Sequence, residues 1–125
     1  TIQRRYEEIN NFEKYLSENG VFIIKLFLHI SKSRQKEKLI ERITIPEKQY
    51  KHSDDDWSTR EKWNDFMDTY ESIISKCNNP IWHIIPADSS TYRNYIVSRI
   101  VLKKLKELNL SYPPLKSEKF NEDTF

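Results

Sequence analysis

A chain of 125 residues with 37% hydrophobic and 13% aromatic content can bury one core and is too short for two ordinary domains, so residues 1–125 are read as a single unit. Its 21 basic and 19 acidic side chains leave a net charge of only +2, which argues against bulk attraction to nucleic acid or an anionic membrane. A lone cysteine, Cys77, excludes disulfide frameworks and cysteine-rich zinc sites. No apolar run approaches the roughly 18 residues of a membrane span, and no signal-peptide pattern opens the chain, so a cytoplasmic protein is expected. The chain begins at Thr1 instead of Met, as a piece with upstream sequence removed would.

Ile2, Tyr6, Ile9, Phe12 and Leu16 recur at helical spacing, and Gly20, the one glycine, stands where a helix C-cap favours positive φ. The next ten residues, VFIIKLFLHI at 21–30, form the near-continuous apolar run of a strand covered on both faces in a parallel sheet. Ser31 then caps a short basic helix that stops before Pro46. STRE, from Ser58 to Glu61, has capping-box spacing and is expected to start a helix carrying Trp63, Phe66, Met67, Tyr70, Ile73 and Ile74 on one side. IWHIIPA reads as a second buried strand ended by Pro86. Ser89 or Ser90 caps a last helix with Ile96, Val97, Ile100, Val101, Leu105 and Leu108 on its apolar side. The polar tail from about 111 to 125 reads as loose.

This order predicts an α/β fold of two parallel strands with helices on both sides. Two buried-type strands are too few to satisfy their own pattern, so the chain looks like half of a domain, and self-association through an uncovered strand edge is expected.

Charge is segregated along the chain. Residues 31–51 hold seven Lys or Arg against three Glu, and residues 52–77 hold seven Asp or Glu against three Lys or Arg. The basic block begins where the first strand ends, and open α/β sheets bind ligands beyond the carboxyl ends of their strands. Lys and Arg presented there suit phosphates, whose transfer is catalysed mainly by positioning and by neutralising spread charge. A solvated helix rich in surface Lys explains the same run.

The stretches RYEEINNFE, KLFLHISK, PEKQYKHS, DDWSTREKWNDF and WHIIPAD, spread over about residues 4–112, together resemble the C-terminal half of the second family of polyphosphate kinases. The resemblance implies a partial P-loop kinase-like fold with a basic helical lid at about residues 31–57. It also implies a magnesium-dependent transferase that moves a terminal phosphoryl group between inorganic polyphosphate and a nucleotide. By position, Lys38, Arg42, Lys48 and Lys51 are its lid cations, with Arg42 nearest the transferred group because a guanidinium fork matches phosphate oxygens. Arg4 and Arg5 match an arginine-rich start of the first helix, which can equally be a plain exposed helix start.

The chain departs from that pattern in three ways. It has no G-x-x-x-x-G-K-S/T stretch, and one glycine cannot build a glycine-rich phosphate cradle. The Walker-type lysine and the acidic magnesium ligands of the family therefore lie outside it, and the chain alone is expected to be inactive. Tyr50 replaces the usual Trp and His52 the usual Phe. Asp88, at a strand's carboxyl end, is read either as a nucleotide contact or as part of an N-cap. His29, His52 and His83 lack metal-site spacing, and Asp54, Asp55 and Asp56 read as charges serving a helix N-terminus. The expected partners are polyphosphate, a nucleotide and a missing P-loop half. A non-catalytic module holding polyphosphate or single-stranded nucleic acid is the alternative.

Overall fold

A computed structural model describes residues 1–114; most of the tail expected to be loose lies outside the described residues. The order is α1 (Ile2–Glu18), β1 (Lys25–His29), α2 (Lys32–Thr44), a 3-10 helix (Pro46–Lys51), α3 (Asp55–Glu61), α4 (Trp63–Lys76), β2 (Trp82–Pro86) and α5 (Ser90–Glu107). The strands pair in parallel from Lys25 opposite Trp82 to His29 opposite Pro86. Helices flank them on both sides, as the element order predicts. Phe27 meets Tyr70 of α4 at 5.0 Å between ring centroids, and α5 packs on β2, where His83 and Ile100 line one crevice.

Helix α1 ends in a Schellman motif: Gly20 N–H donates to the Ser17 carbonyl at 3.2 Å and Val21 N–H to the Leu16 carbonyl at 3.0 Å. Gly20 takes φ +79°, a left-handed backbone that a Cβ would strain. Ser31 caps α2, its hydroxyl accepting from the Arg34 N–H at 3.1 Å, and Ser89 caps α5 by accepting from the Tyr92 N–H at 3.3 Å.

Three boundaries differ from expectation, one of them a break at Lys62 that splits the helix expected from Ser58 onward into α3 and α4. Residues 21–24 stay outside β1 because the ladder starts at Trp82, leaving them no partner strand among the described residues. Ser58 does not cap a helix; it lies inside α3, where its hydroxyl donates to the Asp55 carbonyl at 3.0 Å. The acidic run supplies the helix start instead, with Asp55 and Asp56 in the first turn of α3 facing its partly positive end.

The core is small. Tyr6, Leu39, Cys77, Ile85 and Ala87 are buried, and with them the charged residue Lys25, only 6% exposed. Lys25 donates to Glu13 Oε2 at 2.8 Å and to the Cys77 carbonyl, and stands 4.9 Å from the Trp82 ring centroid. Trp82 Nε1 donates to the same carbonyl at 2.8 Å, and Asn10 of α1 reaches the Lys76 carbonyl at 3.0 Å. The face of α1 turned inward is thus Tyr6, Asn10 and Glu13. Ile2 and Phe12 of the predicted apolar stripe are 71% and 61% exposed, because no described element covers them.

Glu13→Ala strands the Lys25 charge in the core and is expected to cost about 3 kcal/mol in urea unfolding. The double change Glu13→Leu with Lys25→Met leaves no buried charge and should cost less than Glu13→Ala alone. A double-variant loss equal to the sum of the two single losses would contradict the pairing.

Candidate functional site

The carboxyl ends of the two strands are stitched together. Ala87 N–H donates to the His29 carbonyl at 2.8 Å, and Ser31 N–H donates to Asp88 Oδ1 at 2.7 Å. The Ser31 backbone N–H, then its hydroxyl, holds the Asp88 carboxyl below the usual range, with lesser help from Arg34 and His29. Asp88 therefore does not build the α5 cap, which belongs to Ser89. It locks the β1–α2 turn to the β2–α5 turn, and α2 and α5 begin side by side with their partly positive N-termini at one end of the sheet.

A cavity of about 410 Å³ opens there, floored by Ile30, Leu39 and Ala87. Its walls carry four cations, Arg34, Lys38 and Arg42 from α2 and Arg93 from α5, against the acids Asp56 and Asp88. Positions 34, 38 and 42 repeat every four residues, which places the three α2 cations in one row on the helix. Arg93 sits at the end of the first turn after the Ser89 cap. Of the residues singled out in the sequence, the cavity brings together Lys38, Arg42, Asp56 and Asp88. Arg34 and Arg93 were missed. Phasing α2 on Lys38 and Arg42 would have found Arg34, whereas Arg93, a single arginine in the first turn of α5, carries no such pattern.

The α2 cations are already engaged. Arg42 Nη1 is 2.8 Å from Asp56 Oδ2 and 3.5 Å from the Lys51 carbonyl, which ties α2 to the start of α3. Glu41 Oε2 takes Lys48 at 2.6 Å and Lys38 at 3.0 Å, clamping the 3-10 helix to α2. Those hydrogen bonds, Lys48 first, pull the Glu41 carboxyl down to about 2. Arg34 pairs with Glu37 at 2.7 Å, and Arg60 of α3 donates to the Lys32 carbonyl at 2.6 Å.

The other predicted cations lie elsewhere. Lys48 and Lys51 are on the 3-10 helix and do not line the cavity; Lys51 Nζ sits 5.3 Å from the ring centroid of Tyr50, which is 80% exposed. Arg4 and Arg5 are in the first turn of α1 and pair with Glu8 at 3.0 and 3.7 Å. A separate cleft of about 520 Å³ between β1 and α4 is lined by Phe27, Trp63, Phe66 and Tyr70 and by no Lys or Arg. Among the described residues no group of three or more His, Cys, Asp or Glu is arranged to hold a metal ion, and no helix is long and apolar enough to cross a membrane.

The family model of polyphosphate kinase 2 matches residues 1–113. An uncharacterized protein of Leptolyngbya boryana is 40% identical over 112 residues, 88% of this chain and 82% of that protein. The AMP/ADP-polyphosphate phosphotransferase of Meiothermus ruber is 39% identical over 113 residues, 89% of this chain and 42% of that enzyme. The crystal structure of polyphosphate kinase 2 from Arthrobacter aurescens superposes with a TM-score of 0.86 at 38% identity, covering 93% of this chain and 42% of that one. The chain thus spans less than half the length of these two full-size relatives.

Glu41 generates a pH signature. Its folded-state pKa of about 2 lies below the ordinary 4.5, so its clamp on Lys38 and Lys48 is fully stabilising above about pH 4.5 and is lost as the pH falls through about 2. Glu41→Gln should therefore lower the thermal midpoint at pH 6 and have a much smaller effect at pH 2. A gap of the same size at both pH values would refute the clamp.

Proposed function

The chain belongs to the polyphosphate kinase 2 family, and we propose that it forms the strand-end cavity and basic lid of a phosphotransferase working between inorganic polyphosphate and a nucleoside phosphate. The observation that carries this reading is the convergence of Arg34, Lys38, Arg42 and Arg93 on one cavity at the carboxyl ends of both strands. Phosphoryl transfer asks of a protein mainly that it hold phosphates in line and offset charge on the equatorial oxygens, and fixed cations in a partly desolvated cavity do both.

In this reading Arg42 offers its fork to the transferred group, held in place by Asp56 until phosphate arrives. Lys38 lies in the same row, and Lys48 and Lys51 on the neighbouring 3-10 helix take phosphates farther along the polymer as the lid closes over it. Arg4 and Arg5 stand outside the cavity, paired with Glu8, and only a distant stretch of the polymer would reach them. The magnesium implied by the resemblance finds no acidic cluster among the described residues, and Asp56 and Asp88 are already committed to Arg42 and Ser31. The phosphate cradle and the metal ligands belong to a P-loop part that this sequence does not contain. That part, or a second copy of the chain, would cover the open sheet edges, and the chain alone is catalytically silent.

Tyr50 supports a second reading. Its exposed ring beside Lys51 is a stacking platform of the kind that holds single-stranded nucleic acid. Competition between an oligonucleotide and polyphosphate, abolished by Tyr50→Ala, would favour it.

The test is polyphosphate binding by the 125-residue chain across a salt series. Binding should weaken as salt rises, and Arg42→Ala should reduce it roughly tenfold and flatten the salt dependence. Binding that ignores both salt and Arg42 would defeat the reading. In a separate assay, the chain with polyphosphate, magnesium and a nucleoside diphosphate should form no triphosphate. Steady turnover would show that the catalytic centre is complete without a P-loop.

A further inference from the structure

Three of the four cavity cations carry a carboxylate partner: Arg34 has Glu37, Lys38 has Glu41, and Arg42 has Asp56. Arg93 is different. Its Nε and Nη2 donate to the neutral Asn94 Oδ1 at 3.1 and 3.0 Å, and among the described residues no carboxylate lies within ion-pair distance of it. It is half-buried, lines the cavity, and projects from the first turn of α5, whose N-terminus adds positive potential.

We infer that Arg93, and not a lid cation, is the first anchor for the phosphates that enter the cavity. This rests on the proposed reading of the cavity and assigns an order to its parts. For Arg42 to take a phosphate, Asp56 must give up its partner and remain in the same cavity facing an anion, since its side chain is only 23% exposed. Like charges brought together in a partly desolvated space oppose each other. For Arg93 to take a phosphate, only a neutral amide is displaced, and a charge-assisted pair replaces a charge–amide hydrogen bond. The incoming anion therefore meets an unspent charge on the α5 wall first. Once bound there it competes with Asp56 and Glu41 for the α2 row, which turns phosphate binding into a signal for the lid to release its internal pairs.

The chemistry recognised is a run of phosphates, which an inorganic polyphosphate end and a nucleoside diphosphate both present. Titration calorimetry of the 125-residue chain with tripolyphosphate and, separately, with ADP distinguishes them. With at least one of these ligands, Arg93→Ala should weaken binding roughly tenfold or more, and by a larger factor than Arg42→Ala. Arg93→Lys should recover part of the loss, because it restores charge without the fork. Loss confined to one ligand identifies which phosphates Arg93 holds. Asp56→Asn should strengthen binding, since it removes the competing anion, and circular dichroism of each variant separates these effects from misfolding. Arg93→Ala binding both ligands like the wild type, or losing less than Arg42→Ala with both, would overturn the inference. Failure of the wild-type chain to bind either ligand would instead overturn the reading of the cavity itself.

Discussion

Lys25 sets the geometry from which the site follows. Its ammonium group is held by Glu13 of α1 and by the carbonyl that ends α4, and it faces the ring of Trp82, its register partner on β2. Four elements therefore meet at one charge. A buried ion pair often adds little over a well-packed hydrophobic replacement, so its effect is expected in register more than in net stability. A parallel pair has no tight hairpin to fix its offset, and slipping β2 by one residue would exchange its inward and outward side chains. Opposing Lys25 to Trp82 also fixes the far end: His29 falls opposite Pro86, and Asp88 reaches the Ser31 N–H. The place where two helices begin is thus decided a strand's length away.

That placement explains how a protein of net charge +2 can hold four cations on one cavity. The basic and acidic blocks follow each other in sequence and fold back on each other in space, α2 against α3, with Arg42 on Asp56 as the clearest pair. The acids spare the empty site the repulsion of a cation row spaced one turn apart. They also hold the side chains in defined rotamers, which reduces the entropy lost when phosphate replaces them. The field is local, and a weak overall charge is consistent with it.

The sequence made the punctuation of the fold legible. Gly20, Ser31 and Ser89 end or start helices through hydrogen bonds that depend on a few neighbouring residues, and such signals survive without tertiary context. The α/β order and the Lys38 and Arg42 face of α2 were equally visible. Features decided by partners at long range were not. Residues 21–24 carry strand-like side chains but meet no partner strand, and Ser58 has the right spacing for a cap while the acids three residues earlier nucleate the helix first. Asp88 looked local to α5 and instead answers a backbone group 57 residues away. Arg93 was overlooked because a single arginine in a polar helix start has no pattern. Only the fold shows that it faces the α2 row.

The apolar residues left in solvent follow the same logic. Phe22, Ile81 and Ile84 are 61%, 68% and 59% exposed, beside the open sheet and the approach to each strand. In a free-standing α/β unit these positions would be expected to be polar or covered. Their identities specify burial that the described elements do not supply, while the caps, register and cation row that build the cavity are all in place. Local specification of the site and incomplete burial of the sheet coexist because they rest on different forces. Hydrogen bonds and ion pairs close within a few elements, whereas hydrophobic burial scales with the area of a whole layer. On the proposed reading, a covering P-loop part would supply that missing area and bring the phosphate cradle with it, so that completing the core and completing the catalytic centre would be a single event.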